Sequence, residues 1–126
     1  METFTDSLNR TFAVDAAETL IKRGTRVTFV VTGGLVGLKT AAATELAIGT
    51  SDEDYSSNAD ASAPAQGMSV RLFSCSTIFK ASAAIAPAAR LGKAASGKVV
   101  AGSDMDYITH TGCSAADELI TAYKLQ

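Results

Sequence analysis

The chain has 126 residues, of which 47% are hydrophobic and 19% charged, and its formal net charge is −2. This size and composition fit one globular domain with a modest core and exclude a wholly disordered chain. No segment concentrates Lys or Arg as a nucleic-acid surface requires, no apolar run approaches the roughly 20 residues of a membrane span, and the acidic start is unlike a secretory signal. We therefore expect a protein that is made in the cytoplasm and binds neither nucleic acid nor membrane.

The beginning of the chain is polar and carries no helical or strand periodicity. This pattern predicts an N-terminal arm over residues 1–10 that is loose unless a partner captures it, followed by a single β-rich domain over residues 11–126. From Thr11 to Arg23 the apolar spacing permits a short helix, while Thr11–Val14 alone would also serve as a strand. Both interpretations stay open for residues 13–22.

The clearest strand pattern is Thr25–Thr32, which is rich in β-branched residues. A pair of glycines follows it and leads into Leu35–Leu38, so this part of the chain predicts a hairpin. A further short strand is expected at Glu45–Gly49. The next stretch is rich in Ser, Asp and Ala, and it predicts a long acidic loop at about residues 50–66. Long loops in compact domains are usually binding elements or mobile insertions.

The second half of the chain alternates short strand patterns with Ala- and Gly-rich turns. Strands are predicted at Met68–Phe73, Thr77–Lys80, Gly97–Gly102, Tyr107–His110 and Glu118–Tyr123. Only 6% of the residues are aromatic, and because alanine buries little area the core gains less stabilisation per residue than a Leu-rich one. The predicted fold class is mainly β: a small single-domain barrel or sandwich of short antiparallel strands, with at most one short helix.

Motifs that could carry enzymatic chemistry are incomplete. Gly92–Lys98 has the glycine and lysine spacing of a phosphate-binding loop, but Val99 stands where the magnesium-binding hydroxyl belongs, and the following residues look like the edge of a strand. The single histidine, His110, would need an orienting carboxylate and a nucleophile from elsewhere, and we expect it at the surface. We therefore predict no catalytic residue, no cofactor and no enzymatic activity.

A metal site is not predicted either. Oxygen-bearing side chains alternate as at the start of a calcium loop, at Asp52, Asp54, Ser56, Asn58 and Asp60. However, Ser57 replaces the glycine of the sharp bend and Ala63 replaces the bidentate carboxylate, so a solvated acidic loop is the favoured interpretation. The two cysteines, Cys75 and Cys113, fit no zinc spacing and are expected as buried or half-buried free thiols.

Several segments, taken in order, resemble a known family. They are Arg10–Asp15, Gly24–Val27, Leu46–Gly49, Met68–Phe73, Phe79–Ala89, Gly97–Val100, Tyr107–Thr109 and Asp117–Ile120. Their order resembles that of the capsid cement, or head decoration, proteins of tailed bacteriophages. The resemblance implies a mainly β protein, often a homotrimer, that lies on the outer capsid surface of the virion. It also implies that the protein locks neighbouring major capsid protein subunits together after the shell expands, and that it has no enzymatic role.

The hypothesis for the capsid contact is the N-terminal segment together with exposed loops. The candidate contact residues are Met1, Glu2, Thr3, Phe4, Thr5, Asp6, Ser7, Leu8 and Asn9. The expected partners are the major capsid protein and further copies of this chain, since a trimer that touches several subunits at once converts weak contacts into avid binding. The alternative is a stand-alone small β-barrel that binds a ligand or carbohydrate, with the acidic loop as its recognition edge.

Overall fold

Short antiparallel strands account for most of the regular structure in the computed structural model, which describes residues 9–57 and 67–125. The strands are β1 (Asn9–Ala13), β2 (Leu20–Ile21), β3 (Arg26–Thr32), β4 (Leu35–Thr40), β5 (Gly49–Ser51), β6 (Tyr55–Ser56), β7 (Gly67–Leu72), β8 (Ser76–Lys80), β9 (Leu91–Lys93), β10 (Val99–Ala101), β11 (Tyr107–Thr109) and β12 (Leu119–Lys124). Within these ranges, the helical structure consists of one 3₁₀ turn, Ala95–Gly97. The prediction of a mainly β fold is confirmed.

The largest sheet lies in the first half of the fold, residues 9–72, and has five strands in the order β1-β7-β5-β3-β4. Strands β3 and β4 form the predicted hairpin, with Val31 opposite Val36 and Thr32 opposite Leu35. Gly33 and Gly34 close the turn with φ of 60° and 81°. Two successive positive φ values define a type I′ turn, whose twist matches that of the strands and which glycine adopts without strain.

The two edge strands of this sheet approach each other. Val14, directly after β1, forms a parallel bridge with Leu38 of β4, and the main-chain N–H of Asp15 donates to the Leu38 carbonyl at 2.9 Å. The contact is one bridge and not a ladder, so the sheet curls without closing, and the architecture is sandwich-like. The curl encloses one apolar core, in which Val27, Leu38 and Val70 are fully buried.

The second half of the chain has a core of its own. A three-stranded sheet, β11-β12-β8, and the two-stranded sheet β9-β10 enclose Phe79, Leu91 and Val99, which are fully buried. Tyr107 packs edge-on against Phe79 with ring centroids 5.2 Å apart, and its hydroxyl donates to the Ser74 carbonyl at 2.7 Å. The ring centroid of Phe73 lies 5.9 Å from that of Phe79 and 5.7 Å from that of Tyr107, so a cluster of three aromatic rings supplies much of the specific packing of this core.

A buried arginine joins the two halves. Arg26 of β3 is only 1% exposed. Its guanidinium donates to main-chain carbonyls of Ala42 and Glu45 in the first half and of Ala94 and Lys98 in the second half. Desolvation by burial lowers the pKa of the guanidinium, and the charges of Asp104 and Glu45 partly oppose that effect. The carbonyl oxygens give the buried cation the polar partners that such a charge requires.

Residues 13–22, for which the sequence permits a helix or a strand, contain no helix. Ala13 ends β1, and the next strand is β2, which pairs with β6 through Leu20 opposite Ser56 and Ile21 opposite Tyr55. Ile21 is 1% exposed while Leu20 is 54% exposed, which is the alternation of a short strand with one covered face. The structure also contains no helix, in the ranges it describes, that is long and apolar enough to cross a membrane.

The strand predicted at Glu45–Gly49 was placed wrongly. The structure begins β5 only at Gly49, since the Glu45 carboxylate accepts from the main-chain N–H of Ala42 at 2.8 Å and holds residues 42–45 in a turn. β5 continues to Ser51, and Thr50 is 2% exposed, because this strand lies between β3 and β7. The segment 50–66 therefore starts with a buried strand, and residues 58–66 lie outside the described ranges.

Candidate interaction surface

An exposed apolar surface covers the end of the β3–β4 hairpin. We call this end the hairpin tip and define it as Val31 and Val36 on one face and Leu35 on the other, with side chains that are 66%, 59% and 77% exposed. Val31 and Val36 oppose each other on the face that carries buried Val27 and Leu38 farther down the hairpin. The hairpin is thus longer than the core that it covers, and its apolar face continues into solvent.

The hairpin tip is also free of charge. No charged side chain occurs between Arg26 and Lys39 in the sequence, so the whole distal part of the hairpin is uncharged. β4 is an edge strand of the five-stranded sheet, and exposed edge strands are normally protected by charges or prolines. The uncharged, apolar end of this edge is therefore a candidate interaction surface.

The start of the chain enters the fold at this same end of the molecule. The Val14–Leu38 bridge is parallel, so β1 and β4 run in the same direction, and Asn9 lies at the end where Leu35 lies. The rings of Phe12 and Phe29 pack edge to face across this region with centroids 5.1 Å apart. The hairpin tip and the entry point of the N-terminal segment therefore belong to one end of the five-stranded sheet.

The predicted contact residues fall on both sides of the boundary of the described chain. Residues 1–8 lie outside the described ranges. Asn9 is the first residue of β1 and pairs with Arg71 of β7. It is half-buried, and its Oδ1 is enclosed without a hydrogen-bond partner among the residues that the structure describes. The contact role of the N-terminal segment stays a prediction. The sequence did not single out the hairpin tip, because its valines fit the pattern of an ordinary core strand.

The phosphate-loop pattern does not form a phosphate site. Gly92 lies inside β9 opposite Val100, and Val99 begins β10, as the strand-edge interpretation predicted. The lysine of the pattern, Lys98, pairs with Asp117 at 2.7 Å. A phosphate loop needs a helix N-terminus after the glycines, and here a strand follows.

One acidic position of the calcium-loop pattern, Asp54, makes structural contacts. Asp54 accepts from the main-chain N–H of Arg23 at 2.8 Å and lies 4.0 Å from the ammonium of Lys22. Asn58 and Asp60 lie outside the described ranges. Within the ranges that are described, no three His, Cys, Asp or Glu side chains come together as metal ligands would.

The single histidine and the two cysteines lie at or near the surface. His110 is exposed, as predicted. Cys75 and Cys113 are free thiols. Cys113 is half-buried, but Cys75 is exposed, which corrects the expectation of burial. The reason is its position in the turn between β7 and β8, where the chain leaves one sheet for another.

Comparison with known proteins gives a fold match and no sequence match. The chain matches no protein-family model and no curated protein. By structure it is similar to the N base of the head fiber protein gp8.5 of bacteriophage phi29, with a TM-score of 0.68 and 13% sequence identity. The match covers 94% of this chain and 98% of that chain. At this identity the likeness establishes a shared fold over nearly the whole of both chains.

Proposed function

We propose that this protein is a structural component of a bacteriophage virion that decorates the expanded head and stabilises it by bridging major capsid protein subunits. The observation that carries the proposal is the shared fold with the phi29 head fiber base, which extends over 94% of this chain. The segment order that resembles the head decoration proteins supports the same role. Fold alone does not specify function, so the proposal also depends on the exposed surface of the molecule.

The surface that fits this role is the end of the molecule that carries the hairpin tip. Three apolar side chains, 59% to 77% exposed, offer burial to a partner at little entropic cost because a β-hairpin already holds them in place. Asn9, where the described chain begins, lies at this same end, and residues 1–8 are covalently attached to it. In this proposal the rigid tip and the adjacent N-terminal segment contact the capsid together.

The proposal includes self-association as a homotrimer on the outer capsid surface. One hairpin tip is too small for a stable interface of the usual size, which buries about 800 Å² per partner. Several tips held in one oligomer gain avidity through effective concentration, so each contact can be weak. This mode of action requires no catalytic residue, and the protein is proposed not to be an enzyme.

A head-binding assay tests the proposal. Purified protein is mixed with expanded phage heads that lack it, and the bound fraction is measured by sedimentation. We expect saturable binding to expanded heads and none to unexpanded shells. Deletion of residues 1–8 and, separately, the double substitution Leu35→Ser/Val36→Ser should each reduce binding at least tenfold while the protein remains folded and oligomeric.

A matched control keeps the result specific. Leu46 is 81% exposed and lies outside the hairpin, so Leu46→Ser removes an exposed leucine, as Leu35→Ser does, without touching the tip. This variant should bind heads like the unmodified protein. Unchanged binding by both the deletion and the hairpin variant would refute the contact assignment. A monomer that ignores expanded heads would refute the proposed function and favour the ligand-binding alternative.

A further inference from the structure

An open groove with a volume of about 550 Å³ lies between the two halves of the chain. Its first-half wall includes Leu20 and Lys22, and its second-half wall includes Lys80, Lys98 and Asp117. Volumes of roughly 300–1,000 Å³ are typical of sites for small ligands or short peptide segments. The groove is separate from the hairpin tip, and the proposed head-binding role does not use it.

The lining of the groove is positively charged. Three ammonium groups face one carboxylate, that of Asp117. Lys98 Nζ lies 2.7 Å from Asp117 Oδ1, whereas Lys80 donates to the main-chain carbonyl of Asp117 at 3.1 Å and so leaves the carboxylate to Lys98. Lys22 reaches outward to Asp54 at 4.0 Å, with both side chains more than half exposed, which is a weak pairing. In a protein of net charge −2, this groove concentrates positive charge.

The second-half wall is held in an unusual backbone conformation. Among the described residues, positive φ outside glycine occurs only at Ala88, Ser96 and Asp117, and the last two line the groove. Gly97, between Ser96 and Lys98, also has positive φ and packs against Thr25 and the main chain of Arg26. Such conformations persist where the surrounding structure holds them, so the groove is preformed.

We propose that the groove binds an acidic peptide segment of a protein partner. The carboxylates of the peptide pair with the lysines of the groove, and an aliphatic side chain of the peptide packs against Leu20. Leu20 is 54% exposed beside the amines and provides an apolar contact that a free anion would not use. The Asp117 carboxylate opposes carboxylate and phosphate ligands alike, so the exposed Leu20 is the feature that favours a peptide over a free anion. The inference rests on the proposed function in one respect, namely that the partner is a virion protein.

A peptide titration of the isolated protein tests this site. The probe is the capped peptide Asp-Leu-Glu-Leu-Asp, added to ¹⁵N-labelled protein at low salt, and amide shifts are followed by NMR. We expect saturable shifts concentrated at residues 20–25, 80, 96–98 and 117. The matched peptide Asn-Leu-Gln-Leu-Asn and inorganic pyrophosphate should each bind at least fivefold more weakly.

Variants separate the groove from general electrostatics. Lys22→Gln/Lys80→Gln should weaken the acidic peptide at least fivefold, while Lys124→Gln, at an exposed lysine on β12, should leave its affinity unchanged. Asp117→Asn should tighten binding at least twofold, since it removes the competing carboxylate, and a gain of affinity cannot come from a damaged fold. Pyrophosphate binding as tight as the peptide, or equal effects of the Lys22/Lys80 and Lys124 variants, would overturn the proposal. Because no phage head enters this experiment, its failure would leave the head-binding proposal untouched.

Discussion

The guanidinium of Arg26 donates a hydrogen bond to the main-chain carbonyl of Ala94 at 2.8 Å, across 68 positions of the sequence. The same side chain donates to the Ala42 carbonyl at 3.2 Å. A single fixed fork therefore ties together the two halves of the chain, each of which has its own apolar core. Arg26, together with the hydrogen bond from the Lys80 main-chain N–H to the Gly24 carbonyl at 3.0 Å, fixes the relative position of the halves and the groove between them.

Replacement of Arg26 should destabilise the whole domain. Arg26→Lys keeps the charge but cannot reach carbonyls on both sides, and each buried polar group left without a partner costs about 1–3 kcal/mol. We expect a loss of at least about 3 kcal/mol in the free energy of unfolding, measured by urea denaturation. Arg23→Lys is the control: Arg23 is exposed, and we expect a change within about 0.5 kcal/mol. Similar midpoints for the two variants would contradict the assigned role of Arg26.

Two glycines with positive φ should respond differently to alanine. Gly33 has φ of 60° in the open hairpin turn, where an added Cβ would meet nothing within 4 Å. Gly97 has φ of 70°, and there a Cβ would lie 2.8 Å from the Arg26 carbonyl oxygen and would collide with Thr25. Gly33→Ala should cost about 1 kcal/mol, the strain of the left-handed conformation alone. Gly97→Ala adds the collision with backbone and should cost about 3 kcal/mol or more. Equal losses by urea denaturation would show that the packing around Gly97 is looser than described.

The salt bridge between Lys39 and Glu45 predicts a pH-dependent contribution to stability. A hydrogen bond from Lys39, followed by one from the Ala42 main chain, lowers the pKa of the Glu45 carboxyl below its usual 4.5. The charged form is therefore favoured by folding, and its contribution is complete above the ordinary pKa and lost as the pH falls through the lowered folded value. The urea midpoint of the unmodified protein should exceed that of Glu45→Gln at pH 7, and the difference should shrink as the pH falls through the lowered pKa of the folded state. In a Lys39→Met background the Glu45→Gln effect at pH 7 should shrink, and an undiminished effect would contradict the pairing.

Local patterns made part of the fold predictable. The β3–β4 hairpin followed from a β-branched run and two glycines, since strand propensity and turn geometry are properties of adjacent residues. The exposure of Val31 and Val36 could not be predicted in the same way. An alternating apolar strand has the same sequence pattern whether another layer covers it or not, and only the tertiary structure shows that the core ends short of the tip.

The features that could not be predicted from the sequence depend mainly on contacts between residues far apart in the chain. Arg26 sits in a strand pattern as one polar residue among valines, and its carbonyl partners lie 16 to 72 positions away. Likewise, the groove is lined by lysines that are far apart in the sequence, namely Lys22, Lys80 and Lys98. No basic cluster in the sequence therefore indicates the groove. The start of β5 was misplaced because the Glu45 side chain stabilises a turn where the apolar pattern favours a strand.

The two cysteines should differ in reactivity. Cys75 is exposed in the turn after β7, whereas Cys113 is half-buried and its thiol lies 3.5 Å from the Ala83 carbonyl oxygen. Since thiol reagents need access to sulfur, native protein treated with Ellman's reagent should show a fast phase of one thiol and a slower phase of one thiol. Cys75→Ser should remove the fast phase, and Cys113→Ser should retain it. Unfolding in urea should make both thiols react at one rate, because the difference in access is a property of the fold. The absence of a fast phase in the native protein would contradict the exposure of Cys75. Thiols that react only after reduction would contradict the free state of both cysteines.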